Sequence, residues 1–150
     1  MITQINHHDR DQAQIMQKVF NASYAVEAKL LKADDFPPLK RKIEEYIDSD
    51  TEFYGYWKDK YLAAVVEIRS DEVITHIQSL VVSPDYFRQG IAAKMMTFVL
   101  KNFPSNNIIV ETGVDNLPAI KLYEKFGFKI VEEWMTEVGI IKVKLIRNLT

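Results

Sequence analysis

The spacing of apolar positions changes character along the chain. Ile2–Asn6 reads as a short strand. Asp9–Phe20 reads as a helix, with Asp9 as its cap and Ile15, Val19 and Phe20 at helical spacing. The doubled proline Pro37-Pro38, after Asp34-Asp35, marks a loop, and Leu39–Ile47 is predicted as a second helix with Ile43, Tyr46 and Ile47 on one side. The period then falls to two. Phe53–Trp57 and Tyr61–Ile68 are aromatic and β-branched, and Lys58-Asp59-Lys60 makes them a hairpin. Val73–Val82 extends this meander by a third strand, through the turn Ser70-Asp71-Glu72. Gly90–Asn102 is predicted as a helix with Ile91, Met95, Phe98 and Val99 in a stripe, ended by Pro104. Asn107–Thr112 follows as a strand and Asn116–Phe126 as a helix, stopped by Gly127 with Phe128 behind it. Lys129–Glu137 and Ile140–Arg147 form a last hairpin. In its second strand Ile141, Val143 and Leu145 alternate with Lys142 and Lys144, as one wet face requires.

The resulting order, β-α-α-β-β-β-α-β-α-β-β, predicts an α/β fold with a mixed, mostly antiparallel sheet. Its strand–helix–strand segment requires at least one parallel pair, and strands that splay there leave a ligand crevice at their carboxyl ends. A length of 150 residues fits one domain over 1–150. Charge narrows the possibilities: 19 basic against 21 acidic side chains give a net −2, which argues against broad nucleic-acid binding. There is no cysteine, hence no disulfide framework, thiolate metal site or cysteine nucleophile. His7-His8 are adjacent rather than at metal-ligand spacing, so no metal is expected. Lys94 interrupts the apolar run Ile91–Leu100, no stretch is apolar enough to span a bilayer, and the first residues lack the pattern of a secretory signal. The expected setting is the cytoplasm. In that setting the Asn-x-Ser/Thr triplets at Asn21 and Asn148 read as chance matches.

The chemistry concentrates after Val82. Leu80-Val81-Val82 close a strand, Ser83-Pro84 turn, and Arg88-Gln89-Gly90-Ile91-Ala92 open an amphipathic helix. Gly90 has no Cβ and Ala92 a minimal one, so an anion can approach the main chain. Free N–H groups and the positive dipole end of the helix favour phosphate there, and Arg88 adds a charged donor. Neither a Walker lysine nor the Rossmann glycine set is present. One strand further on lies Asn116-Leu117-Pro118-Ala119-Ile120-Lys121-Leu122-Tyr123-Glu124-Lys125-Phe126-Gly127-Phe128.

Together these segments resemble the GNAT-type N-acetyltransferase superfamily. Phe87-Arg88-Gln89-Gly90-Ile91-Ala92 stands at the family's phosphate loop, Arg/Gln-x-x-Gly-x-Gly/Ala. Asn116, Ala119, Leu122, Tyr123, Gly127 and Phe128 match every fixed position of its second signature, Asn-x-x-Ala-x-x-Leu-Tyr-x-x-x-Gly-Phe. Phe87 departs from the usual Arg or Gln, a change the backbone cradle tolerates because it needs no particular side chain. The resemblance implies helices on both faces of the sheet, a splayed parallel pair, and transfer of acetyl from acetyl-CoA to a primary amine of a small molecule or peptide in a ternary complex. The diphosphate would rest on Arg88–Ala92. The pantetheine would pair with Leu80–Val82, of which Val81 or Val82 supplies an N–H to the acetyl carbonyl.

Tyr123 is then the general acid toward the leaving sulfur. Asn116, a favoured helix cap with Pro118 in the first turn, can cap its helix and still contact the donor. The family implies a base on the fourth strand, which by counting back from Val82 falls on His76, whose imidazole titrates near neutral pH. Alternation puts His76, Gln78, Leu80 and Val82 on one face. Glu111 on the next strand, or a water chain, is the other option for the base. Tyr24, Glu27, Asp34, Asp35, Phe36 and Tyr54 are candidates to meet the amine. Met95-Met96 read as core. Two other functions are compatible with the same motifs: a CoA-sensing domain without catalysis, and an acetyltransferase acting on aminoacyl-tRNA, which the acidic balance disfavours. The state is expected to be a monomer or homodimer, with the last hairpin as a possible pairing edge.

Overall fold

The computed structural model describes residues 1–103, 105 and 107–148. Seven strands form one sheet in the order β1-β2-β3-β4-β5-β7-β6. They are β1 (Ile2–Gln4), β2 (Glu52–Lys58), β3 (Tyr61–Ser70), β4 (Ile74–Val82), β5 (Asn107–Gly113), β6 (Lys129–Met135) and β7 (Ile141–Asn148). The helices are α1 (Arg10–Leu30), α2 (Ile43–Ile47), α3 (Ile91–Asn102) and α4 (Leu117–Lys125). This is the mixed α/β architecture expected, with β4–β5 its parallel pair and every other pair antiparallel. Pro104, expected to end α3, lies outside the described residues, as do the last two positions of the Asn148 triplet.

Two apolar clusters sandwich the sheet. One packs α3 and α4 on it, through Met95, Met96, Val99, Ile120 and Tyr123 against Val66, Ile68, Ile77 and Val110. The other packs α1 on the opposite face, through Ala13, Met16, Val19 and Phe20 against Phe53, Val65 and Val81. Burying each such side chain contributes about 1.5–3 kcal/mol, and the two layers fix the height of both helical sides above the strands.

Local readings differ from the sequence in three places. The first helix begins as expected, with the Asp9 carboxylate accepting from the Gln12 N–H, but runs ten residues beyond Phe20, because Tyr24, Glu27 and Ala28 continue the inward stripe. Within it Ile15 faces solvent at 45% exposure, and Ala13 and Met16 take the buried positions. The predicted second helix divides into a 3-10 turn at Pro37–Lys40 and the five-residue α2, since Arg41 and Lys42 adopt extended backbone. The stop after α4 is as read: Gly127 has φ 90, and the N–H groups of Gly127 and Phe128 bond back to Glu124 and Tyr123.

The central irregularity lies on β4. Glu67 pairs with Ser79 and the next residue, Ile68, pairs with Ile77, so Gln78 is an extra residue, a β-bulge. A bulge reverses the alternation beyond it. Ile77 packs with the α3 cluster, as do Leu80 and Val82, whereas Val81 packs with the α1 cluster. His76, next to Ile77, therefore shares a face with Ser79 and Val81, not with Leu80 and Val82. The uniform alternation read from the sequence fails here because one inserted residue shifts the side-chain period.

Candidate active site

The parallel pairing of β4 with β5 stops at Ile77↔Val110, although β4 continues to Val82 and β5 to Gly113. Beyond that point β4 stays bound to β3 and β5 to β7, so the two strands part. The gap is where side chains from opposite faces of the sheet can meet. A cavity of about 650 Å³ occupies it, walled by Tyr24 and Glu27 from α1, Ser79 and Leu80 from β4, Glu111 from β5, and Asn116 and Tyr123 from α4.

The edge of β4 facing this gap is polar main chain. The Ser83 N–H bonds to the Ala63 carbonyl at 2.8 Å. By the alternation of an antiparallel ladder, Val81 also turns its backbone groups toward β3, and Leu80 and Val82 turn theirs toward the gap. Of the two valines expected to offer an N–H to an acetyl carbonyl, the geometry favours Val82, with Leu80 beside it.

Beyond Val82 the loop has the form a bound anion needs. Arg88 has φ 62 and Gly90 has φ 72, and Gly90 is the N-cap of α3 with no side chain capping the helix. A Cβ built on Gly90 would meet nothing within 4 Å, so the space above the first turn of α3 is open. Alternating backbone hand curls such a loop into a concave row of amides, at the positive end of a twelve-residue helix. Phe87 is 43% exposed, Arg88 and Gln89 project outward, and Ile91 is buried beneath. Lys58 donates to Gln89 at 2.7 Å, which adds a second cation beside Arg88. These residues fit a diphosphate, and Phe87, at the usual Arg or Gln position, offers it no polar side chain.

Inside the cavity Tyr123 is 4% exposed, its ring against Phe128 at 5.6 Å. Burial, reinforced by the nearby Glu27 carboxylate, pushes its phenol well above the ordinary tyrosine range, so it keeps its proton at any physiological pH. Asn116 caps α4 by accepting from the Ala119 N–H at 3.4 Å, and donates to Glu27 at 3.2 Å and Thr112 at 3.3 Å. Burial raises the Glu27 carboxyl, opposed by Lys142 and the Asn116 bond. Glu111 lies in the wall with Lys142 at 3.8 Å.

His76 does not line this cavity. Its Nδ1 meets the Gln78 amide at 3.1 Å, and burial lowers its pKa, with Glu111 opposing. Tyr54 also lies elsewhere, packed on Phe98 and Phe103 on the α3 side and donating to Glu52 at 3.0 Å. Phe36 is buried in the wall, whereas Asp34 and Asp35 are exposed and Asp35 pairs with Lys40.

One buried system went unread in the sequence. Glu67 is 3% exposed in the middle of β3 and is held by Arg41 through two bonds of 2.8 and 3.0 Å. Thr51 donates to it at 2.8 Å and Ser79 at 3.3 Å. The Tyr24 hydroxyl joins through Ser79 at 2.9 Å. The available signal was a single carboxylate in the apolar run Leu62–Ile68, since a buried charge demands a partner. Among the described residues, no three His, Asp or Glu side chains gather as a metal-binding group, and no helix is long and apolar enough to cross a membrane.

Comparison with known proteins agrees with this geometry. The Acetyltransferase (GNAT) family profile matches residues 14–128, and the chain belongs to that family. It is 30% identical over 142 residues to the UPF0157 protein YqkA of Bacillus subtilis, covering 94% of this chain and 41% of that one. It is 26% identical over 122 residues to the streptothricin acetyltransferase of Escherichia coli, covering 77% and 70%. It is 38% identical over 61 residues to an N-alpha-acetyltransferase of Saccharolobus solfataricus, covering 38% and 36%. The chain thus spans about two fifths of the Bacillus protein and little more than a third of the archaeal one. The fold is that of the ribosomal-protein-S18-alanine N-acetyltransferase from Escherichia coli, with a TM-score of 0.77 at 15% identity over 100% of this chain and 94% of that one. It is also that of a GNAT family acetyltransferase from Elizabethkingia anophelis with acetyl-CoA bound, with a TM-score of 0.60 at 22% identity over 80% and 88%.

Proposed function

We propose that residues 1–150 form one N-acetyltransferase domain that moves the acetyl group of acetyl-CoA to a primary amine by direct attack in a ternary complex, in the cytoplasm. The observation that carries this reading is the end of β4–β5 pairing at Ile77↔Val110, which opens a polar strand edge beside an uncapped helix start. Acetyl-CoA supplies the thioester. The amides of Arg88–Ala92 hold its diphosphate, and the free edge at Leu80 and Val82 bonds the pantetheine and polarises the acetyl carbonyl. Tyr123, which carries its proton at neutral pH, hydrogen-bonds to the departing sulfur and passes that proton to it. Glu111, which lines the cavity, takes the proton from the ammonium directly or through water, and is favoured over His76, which does not line it. Glu27 draws the cationic amine into place. The acceptor is a primary amine of a peptide or small molecule, as the names of the archaeal N-alpha-acetyltransferase and the streptothricin acetyltransferase suggest.

The test is thiol release from acetyl-CoA across a panel of amines. Tyr123→Phe should lower turnover about 10²-fold while acetyl-CoA still binds. Turnover indifferent to that hydroxyl removes Tyr123 as the acid, and binding without turnover for any amine points to a CoA-sensing domain.

A further inference from the structure

A second cavity, of about 380 Å³, has no part in the chemistry above. It shares Tyr24, Pro38, Arg41, Gln78 and Ser79 with the first, so the two form one trough leading away from Tyr123. At its far end lie Ser49, Thr51 and Arg69. Both of its cations are paired: Arg41 with Glu67, and Arg69 with Asp50 at 2.7 Å. Glu67 is itself saturated, accepting from Arg41 twice, from Thr51 and from Ser79. A second ammonium therefore finds no unpaired carboxylate here, and an acceptor carboxylate finds no unpaired cation.

What the trough offers instead is hydrogen bonding at fixed positions, from a cation whose charge Glu67 already balances. The Arg41 guanidinium carries five N–H groups and uses two of them on Glu67. It is held flat by the Tyr46 ring, 4.2 Å from the ring centre. The Tyr24 hydroxyl stands at the junction of the two cavities, fixed by Ser79 at 2.9 Å. Because Ser79 donates to Glu67, the Tyr24 hydroxyl spends its one proton on Ser79 and leaves its oxygen free to accept. A donor at Arg41 and an acceptor at Tyr24 suit the carbonyl and the N–H of an amide, and an acceptor substrate lacking amides leaves them unmatched.

Building on the transferase reading, we infer that this trough binds the first amides of a peptidyl tail, and that the acceptor amine is the α-amine of a peptide. The amine sits near Glu27 and Tyr123, its tail passes Tyr24, and its first carbonyls meet Arg41. Tyr24 and Arg41 are then specificity determinants for a reaction they do not themselves perform.

The test compares three acceptors under saturating acetyl-CoA: alanyl-glycyl-glycinamide, propylamine and an amino sugar such as glucosamine. The tripeptide amide should exceed propylamine about 10²-fold in kcat/KM, because the tail alone meets the Arg41 donor and the Tyr24 acceptor. Tyr24→Phe and, separately, Ser79→Ala should each shrink that advantage about tenfold, chiefly through the KM of the peptide. Arg41 is left intact because its loss strands Glu67. Equal use of the peptide and propylamine, preference for the amino sugar, or a Tyr24→Phe effect identical for all three would overturn the inference while leaving the transferase reading standing. Absence of turnover with every acceptor would overturn both.

Discussion

The Asn116 amide donates to the Glu27 carboxylate across 3.2 Å, joining the start of α4 on one face of the sheet to α1 on the other. The contact exists only because β4 and β5 have parted between those helices. It also places a carboxylate in a half-buried cavity where, among the described residues, no cation makes a close ion pair with it. Burial raises the Glu27 carboxyl above the ordinary range, with Lys142 and Asn116 opposing. A carboxyl raised in this way favours the fold at low pH and disfavours it as pH rises through its folded-state value. Glu27→Gln should therefore raise the midpoint of thermal unfolding at neutral pH by roughly 2 °C. The same change should raise the KM for the amine about tenfold, since a charged hydrogen bond is lost. A variant both less stable and equally good at binding the amine would contradict this role.

Glu111 and His76 separate in function by position. Glu111→Gln should lower turnover about 10²-fold or more, as removal of a general base does, while His76→Ala should change it only a few-fold. The pH–rate profile of the His76 variant should match that of the parent. The reverse ranking would make His76 the base.

His76 has its own signature in stability. Burial lowers its pKa, so the unfolded chain takes up a proton first as acid is added. Its contribution is present above about pH 6.5, the ordinary histidine value, and is lost as pH falls through the lower folded-state value. Urea unfolding of His76→Gln should lose less stability than the parent over that window, and parallel curves would show that the imidazole is not the group responsible.

The Arg41–Glu67 pair ties the loop before α2 to the middle of β3. Glu67→Ala should cost about 2 kcal/mol in urea unfolding, because it leaves a half-buried guanidinium alone, whereas Arg41→Met with Glu67→Leu should recover most of that loss. Recovery of stability without recovery of peptide preference would separate the pair's packing from its recognition role.

The element order and the turn residues are legible in the sequence, and what is not legible has physical causes. Asn116 and Gly127 are legible because capping and a positive φ each favour a few residue types at one place, and Tyr123 stands out through the second signature it shares with the family. The parallel pair followed from element order alone. The register of β4 was not legible, because a bulge at Gln78 leaves no mark in composition and yet moves His76 to the other face. Tyr54 was misplaced for a related reason: an aromatic on a central strand carries no label for the face it takes. The Arg41–Glu67 pair joins positions 26 apart, and only the isolated carboxylate in an apolar strand hinted at it.

The open main chain past Val82 and at the start of α3 is expected to grip acetyl-CoA. Calorimetric titration of acetyl-CoA into the parent chain and into Gly90→Val tests it most directly. The parent should bind saturably at one to one, and the variant at least about tenfold more weakly, because its Cβ enters the open space over the helix and its backbone resists φ 72. No heat with the parent, or equal affinity in both, would contradict it.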